Sequence, residues 1–265
     1  MVDLYRASRV AEQAAYAVGT HLQASRSRLA AAVVTREDPL AVVRAIDLEA
    51  LAMIYDIVTR QFPEHGFHSE RGGHDGPWPA PPGQPQWLVD PISGLSNYQR
   101  GYPQYAVSIA LVEDGEPQLG VVYDPCRNEF FGAIRGRGAV LNGAPIHCSG
   151  GRPATDALAA TVFPKPGSAR MSTYVTEFGR VVRGLGGVRR SGSMALELAY
   201  LAASRIDAFW EYDMGCWDCA AGVALLRESG ALVHARDARP LLHSQALLAC
   251  TPNLFEPFLS LLVEG

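Results

Sequence analysis

Trp87-Leu88-Val89-Asp90-Pro91-Ile92-Ser93-Gly94-Leu95-Ser96-Asn97-Tyr98 changes character halfway along. Its three leading apolar residues read as the end of a buried strand, which delivers Asp90 to the strand's carboxyl edge. Pro91 has no N–H to give a ladder, so sheet pairing is expected to stop there. Ser93 and Gly94 form a turn, and a helix opening after it presents backbone N–H groups without intrahelical partners. A carboxylate at a strand end beside a helix N-terminus can hold a metal ion and a phosphate together. An Asp-Pro after a strand serves equally well as a plain turn, and the segment alone does not decide between the two.

Upstream, Leu4, Ala11, Ala15, Val18 and Leu22 keep helical spacing with polar residues opposite. A loop around Arg36-Glu37-Asp38-Pro39 follows, with Pro39 discouraging helix at Asp38. Asp47 stands as N-cap or first-turn carboxylate of a second helix, whose stripe is Leu48, Leu51, Tyr55, Val58 and Phe62, ended by Pro63. The two helices are expected side by side on one face of a sheet. Between Glu70 and Trp87, the run from Gly72 to Gly83 is too rich in Gly and Pro for regular structure. A surface loop over the site is the reading, in preference to a polyproline ligand for a partner.

Downstream, Ala106–Val112 and Leu119–Tyr123 flank Asp114-Gly115, a strong hairpin signal. Glu129–Ile134 and Ala139–Leu141 continue an antiparallel meander to the turn at Asn142-Gly143. A boundary near Gly150-Gly151-Arg152-Pro153 divides the chain into an N-terminal α+β part, 1–150, and a C-terminal α/β part, 151–265, within one integrated fold. The second part alternates: strands at Leu158–Phe163, Val188–Arg190, Ala208–Glu211, Leu232–His234 and Leu247–Ala249, helices at Ala169–Arg183, Ser193–Ala203 and Asp218–Glu228, and a last helix after Asn253. Such alternation implies a parallel or mixed sheet with helices packed on it, an α/β (α+β) architecture.

The bulk numbers exclude several classes. With 48% hydrophobic and 19% charged residues among 265, the chain has enough apolar surface for a large core. A net charge of −4 gives no basic excess for direct nucleic-acid binding. No apolar run approaches the ~20 residues that span a bilayer, and Asp3 and Glu12 argue against a transit peptide. Five cysteines, an odd number in a long chain, suit a reducing cytoplasm better than a disulfide framework.

A second stretch, Trp217-Asp218-Cys219-Ala220-Ala221-Gly222, gives the first a context. Together they resemble the two signatures of the inositol monophosphatase family, Asp-Pro-(Leu/Ile)-Asp-Gly-Thr-x-Asn-(Phe/Tyr) and Trp-Asp-x-Ala-Ala-Gly, in the same order. The resemblance extends to Gly120-Val121-Val122-Tyr123-Asp124-Pro125, Gly136-Arg137-Gly138-Ala139, Leu141-Asn142-Gly143 and Ser191-Gly192-Ser193. It implies a layered α/β/α/β/α sandwich, commonly a homodimer, acting on small phosphorylated ligands with magnesium. Glu70, Asp90, the Ile92 carbonyl and Asp218 match the metal ligands, with Glu70 and Asp90 in the catalytic machinery. The backbone at Gly94 and Leu95 matches the phosphate cradle, and Glu211, seven residues before Asp218, matches the acid that contacts substrate hydroxyls.

The first signature departs from the family at two positions. Ser93 stands where the family has its second metal-binding Asp, and Leu95 where it has the Thr that orients the attacking water. A neutral hydroxyl is a poor magnesium ligand, and Leu cannot hydrogen-bond a water. The resemblance therefore implies a phosphatase with strongly impaired activity that binds fewer magnesium ions, more weakly, and still takes a phosphorylated ligand. The alternatives are a working phosphatase relying on one main metal position, and a regulatory protein-binding role, for which a bacterial relative serving ribosomal-RNA antitermination is the precedent. Two other signals point elsewhere: His65, His68 and His74 around Glu70 raise a transition-metal site, and Cys216-x-x-Cys219 a redox pair. Solvated loop histidines are the plainer reading of the first, and the second overlaps the Trp-Asp signature, where the resembled family needs no thiols.

Overall fold

The computed structural model describes residues 2–35, 38–70, 80–148 and 150–263. The first part runs α1 (Leu4–Thr35), α2 (Pro39–Gln61), β1 (Gly66–Ser69), β2 (Gln86–Ser93), α3 (Leu95–Arg100), β3 (Ala106–Glu113), β4 (Glu116–Asp124), β5 (Glu129–Ile134), β6 (Ala139–Leu141) and β7 (Ala144–Ile146). The second runs β8 (Leu158–Thr161), α4 (Met171–Gly184), β9 (Gly187–Arg189), α5 (Met194–Ala202), β10 (Ala208–Tyr212), α6 (Cys216–Ser229), β11 (Leu232–Ala235), β12 (Ala246–Cys250) and α7 (Phe255–Leu262). None of the described helices is long and apolar enough to cross a membrane.

Strands β1 to β7 form one sheet in chain order, parallel between β1 and β2 and antiparallel thereafter. The second sheet has the order β11-β12-β10-β8-β9, with β10, β8 and β9 mutually parallel. Side-chain alternation along each strand divides the interior into three cores. In β3, Val107, Ile109 and Leu111 face α1 and α2, while Ala106, Ala110 and Val112 face α5 and α6. In β10, Phe209 faces α5 and α6, while Ala208, Trp210 and Tyr212 face α4 and α7. The result is five layers, α/β/α/β/α, with α5 and α6 between the sheets. Burying side chains such as Leu88, Phe131 and Phe209 completely is worth about 1.5–3 kcal/mol each for residues of this kind. At Gly120 in β4 a Cβ would lie 2.8 Å from the Ala221 Cα, so glycine lets α6 settle directly on the sheet.

Several expectations need correction. Helix α2 begins eight residues earlier than Asp47, at Pro39, capped by Asp38, whose side chain accepts from the Leu40 N–H. Proline suits a first helical position because its missing N–H has no partner there anyway. Asp47 therefore lies within the helix and is buried, whereas Leu48, assigned to the core stripe, is 53% exposed. The buried face is Val43, Ile46, Asp47, Ala50, Leu51, Ile54 and Val58, so Leu51 and Val58 stand as read. Pairing also does not end at Pro91. Strand β2 slips register after Asp90 and pairs again at Ser93 with Ala106. Short strands β1 and β7 add to those read from the sequence. Arg36, Glu37, His74 and most of the Gly-Pro loop lie outside the described residues.

Candidate functional site

The register slip in β2 builds the site. Pro91 cannot donate, and the Ile92 N–H turns back to donate to Asp90 Oδ1 at 3.2 Å. Asp90 is thus held in a tight local turn while Ser93 rejoins the sheet. Gly94 follows with φ of 96°, and a Cβ there would lie 2.8 Å from the Gln104 carbonyl oxygen. Only glycine meets both conditions. Its carbonyl then accepts from the Asn97 and Tyr98 N–H groups at 2.9 and 3.0 Å, opening α3.

Asn97 joins the two parts of the site. Its Nδ2 donates to the Gln104 carbonyl at 2.7 Å and to the Ser191 carbonyl at 2.8 Å. The Ser191–Ser193 segment leads into α5, where Ser193 is N-cap and accepts from the Leu196 N–H at 3.5 Å. The buried Glu197 accepts from the Ser191 N–H at 2.9 Å. Ser93 belongs to the same junction: its Oγ accepts from the Ser193 hydroxyl at 3.2 Å and from the Ala195 N–H at 3.3 Å. Ser93, at the position matching the second metal-binding Asp of the family that the sequence resembles, is thus a buried hydroxyl tied to the start of α5. The Leu95 side chain packs against the apolar core under α1 and α2.

Asp218 comes from the first turn of α6, where its Oδ2 accepts from the Gly215 N–H at 2.7 Å. It caps the helix and faces Asp90 at once. Burial drives the Asp90 carboxyl well above the usual range, reinforced by the charges of Asp218, Asp47 and Glu70. The Asp218 carboxyl is pushed up to about 6, by burial first and then by Glu70, against the pull of the Gly215 N–H and Lys165. Glu70, exposed at the end of β1, is electrostatically part of this group. Glu211, near the end of β10 and 6% exposed, has an Oε2 with no hydrogen-bond partner. Its carboxyl is also driven well up, by burial and then by Asp218, with Arg190 opposing.

The donors are all hard oxygens, and the mutual repulsion of Asp90, Asp218 and Glu70 is what a divalent cation relieves. They fit magnesium, which binds through a few carboxylates and completes its shell with water and phosphate. Among the described residues no three His, Cys, Asp or Glu side chains are grouped so as to hold a metal ion.

Of the three histidines around Glu70, the described two, His65 and His68, are engaged elsewhere. His68 lies within β1 beside Gln86, at 3.4 Å, and His65 stacks on Phe62 and Trp87 with ring centres 4.8 and 6.2 Å apart. Cys216 and Cys219 are buried free thiols whose pKa values burial raises, Cys216 to about 12, so neither is a ready thiolate. Sequence reasoning missed Asp47, Asn97 and Glu197. Asp47 carried a usable signal: it is the one acid on the apolar face of α2.

Residues 3–264 match the inositol monophosphatase family. Over 192 residues, 72% of this chain and 70% of the relative, the sequence is 40% identical to the Nus factor SuhB of Salmonella typhimurium. It is 35% identical to an inositol-1-monophosphatase of Rhizobium meliloti, over 82% of this chain and 81% of that one. The structure superposes on that of an inositol monophosphatase from Anabaena with a TM-score of 0.83 and 32% identity, covering 98% of this chain and 96% of the other. The chain belongs to the inositol monophosphatase family.

Proposed function

We propose that this chain is a cytoplasmic, homodimeric, magnesium-dependent phosphomonoester-binding protein whose phosphatase activity is strongly impaired. The observation that carries this reading is Ser93, whose oxygen is neutral and already engaged by Ser193 and the Ala195 N–H. Glu70, Asp90, Asp218 and the Ile92 carbonyl would hold magnesium. When bound, the ion would polarise phosphoryl oxygens and lower the pKa of a water.

The chain's own residues divide the remaining work. The backbone at Gly94 and Leu95 offers donors to a phosphate. Glu211, with an unpartnered buried oxygen, receives a hydroxyl of the alcohol portion. The Leu95 side chain, engaged with the core, leaves an attacking water unoriented. Losing a group that merely supports a metal ligand costs ~10–100-fold, so a missing charged ligand costs more.

The test is a magnesium-dependent phosphatase assay on myo-inositol 1-phosphate, alongside equilibrium binding of inorganic phosphate. Binding with negligible turnover is the expected result; turnover at ordinary enzymatic rates, ~1–10³ s⁻¹, would replace this reading with that of a working phosphatase. Identity of 40% with a relative named a Nus factor supports a second reading, action through a protein partner. Co-purification with components of the transcription machinery checks it.

A further inference from the structure

The three parallel strands of the second sheet finish together. Trp210 of β10 pairs with Thr161 of β8, and Ala160 of β8 with Arg189 of β9. The residues just beyond these pairs, Glu211, Phe163 and Arg190, therefore gather at one corner of the sheet, with Lys165 two residues past Phe163. In open α/β sheets, ligands bind outside the carboxyl ends of the strands, and Glu211 places this corner in the site already described. The Phe163 ring is 48% exposed, unusual for so large an apolar group. It is braced at 5.8 Å by Tyr174 and carries the Arg190 guanidinium 4.9 Å above its centre. A ring under a guanidinium fixes its orientation without consuming its hydrogen-bond donors.

Neither Arg190 nor Lys165 has an acidic partner within ion-pair distance among the described residues. Arg190 nevertheless acts on Glu211 of the site. Arg190 and Lys165 are both exposed, so each is open to an anion arriving from solvent.

We propose that the alcohol portion of the ligand carries a second anionic group, a carboxylate or a second phosphate, received by Arg190 on the Phe163 ring. This rests on the phosphomonoester reading above. A neutral polyol would leave the Arg190 guanidinium facing water, whereas a second anion gains charge-assisted, bidentate hydrogen bonds from it.

Calorimetric titration of the full chain with magnesium present tests it, using three probes: glycerol 2-phosphate, with no second anion; 3-phosphoglycerate, with a carboxylate; and fructose 1,6-bisphosphate, with a second phosphate. At least one of the last two is expected to bind about 10-fold more tightly than glycerol 2-phosphate, the scale of one good charge-assisted contact. Which of them does so identifies the anion. Arg190→Ala should cut that preference below about 3-fold, Arg190→Lys should keep part of it, and thermal melts establish that both variants are folded. Equal affinity for all three probes, or an Arg190→Ala loss equal for all three, overturns the proposal while leaving phosphomonoester binding intact. Failure of every probe to bind overturns both.

Discussion

Replacing Ser93 by Asp and Leu95 by Thr is expected to rebuild a hydrolytic site from a binding site. In Ser93→Asp, the new carboxylate would stand where Oγ now meets the Ala195 N–H and the Ser193 hydroxyl, at the N-terminus of α5. A negative charge there gains about 0.3–1 kcal/mol from the helix end. It also enters a buried position in a site whose acids already raise one another's pKa values, and both burial and like charge oppose the gain. Without metal, Ser93→Asp should therefore be no more stable than wild type in thermal melts; each ~1 kcal/mol lost would lower Tm by roughly 2–4 °C for a chain of this size. With magnesium the balance reverses, because the added charge has a cation to bind, and magnesium affinity should rise at least ~10-fold. Leu95→Thr adds a hydroxyl that can orient a water and keeps the backbone N–H. Each change needs the other, so their effects on rate should be non-additive. The double variant should hydrolyse myo-inositol 1-phosphate at least ~100-fold faster than wild type, about 2.7 kcal/mol of barrier. Phosphate-release kinetics of wild type, both single variants and the double variant, with and without magnesium, provide the measurement. A double variant no faster than wild type, or marked stabilisation of metal-free Ser93→Asp, refutes the reasoning.

The corrected face of α2 predicts opposite outcomes for two neighbouring apolar residues. Ile54→Ala, at a fully buried position, should cost about 2–5 kcal/mol in denaturant melts, while Leu48→Ala should stay within about 0.5 kcal/mol. Glu228 accepts from the N–H groups of Gly136, Arg137 and Gly138 at 2.8, 3.1 and 2.8 Å; Glu228→Ala should cost about 1–3 kcal/mol and speed hydrogen exchange at those amides. Burial raises the Glu197 carboxyl above its ordinary range, against the pull of Ser191. The folded state thus holds this proton more tightly than the unfolded chain, and stability falls as pH climbs from the unfolded value to the folded one. Glu197→Gln, which keeps an acceptor for the Ser191 N–H, should melt like wild type at low pH and gain on it as pH rises through that window.

The parts legible in the sequence are those with local chemistry. The turns at Asp114-Gly115 and Asn142-Gly143 need left-handed backbone, and both Asp114 and Asn142 have positive φ. The Trp87–Val89 run lies in a strand buried throughout, and Asp218 falls in the first turn of its helix. What failed was set by partners far along the chain. Whether Asp47 or Leu48 faces inward depends on the sheet and on Asp90, because apolar spacing alone allows either face. The return of β2 to its ladder after Pro91 depends on Ala106. The role of the Ser93 hydroxyl is fixed by Ser193, a hundred residues away, and no local pattern announces it.

The helical layer between the sheets has a consequence for biosynthesis. The inner face of the first sheet, including Leu88, Ala110, Val122 and Phe131, is covered by α5 and α6. Both helices are encoded well after β7, the last strand of that sheet, and α6 ends at Ser229, about 80 residues beyond Ile146. At ~5–20 residues per second, an apolar sheet face waits roughly 4–17 s on the ribosome for its cover. That interval is long against hydrophobic collapse, so the nascent chain carries a sticky surface that a holdase chaperone is suited to shield until residue 229 has emerged.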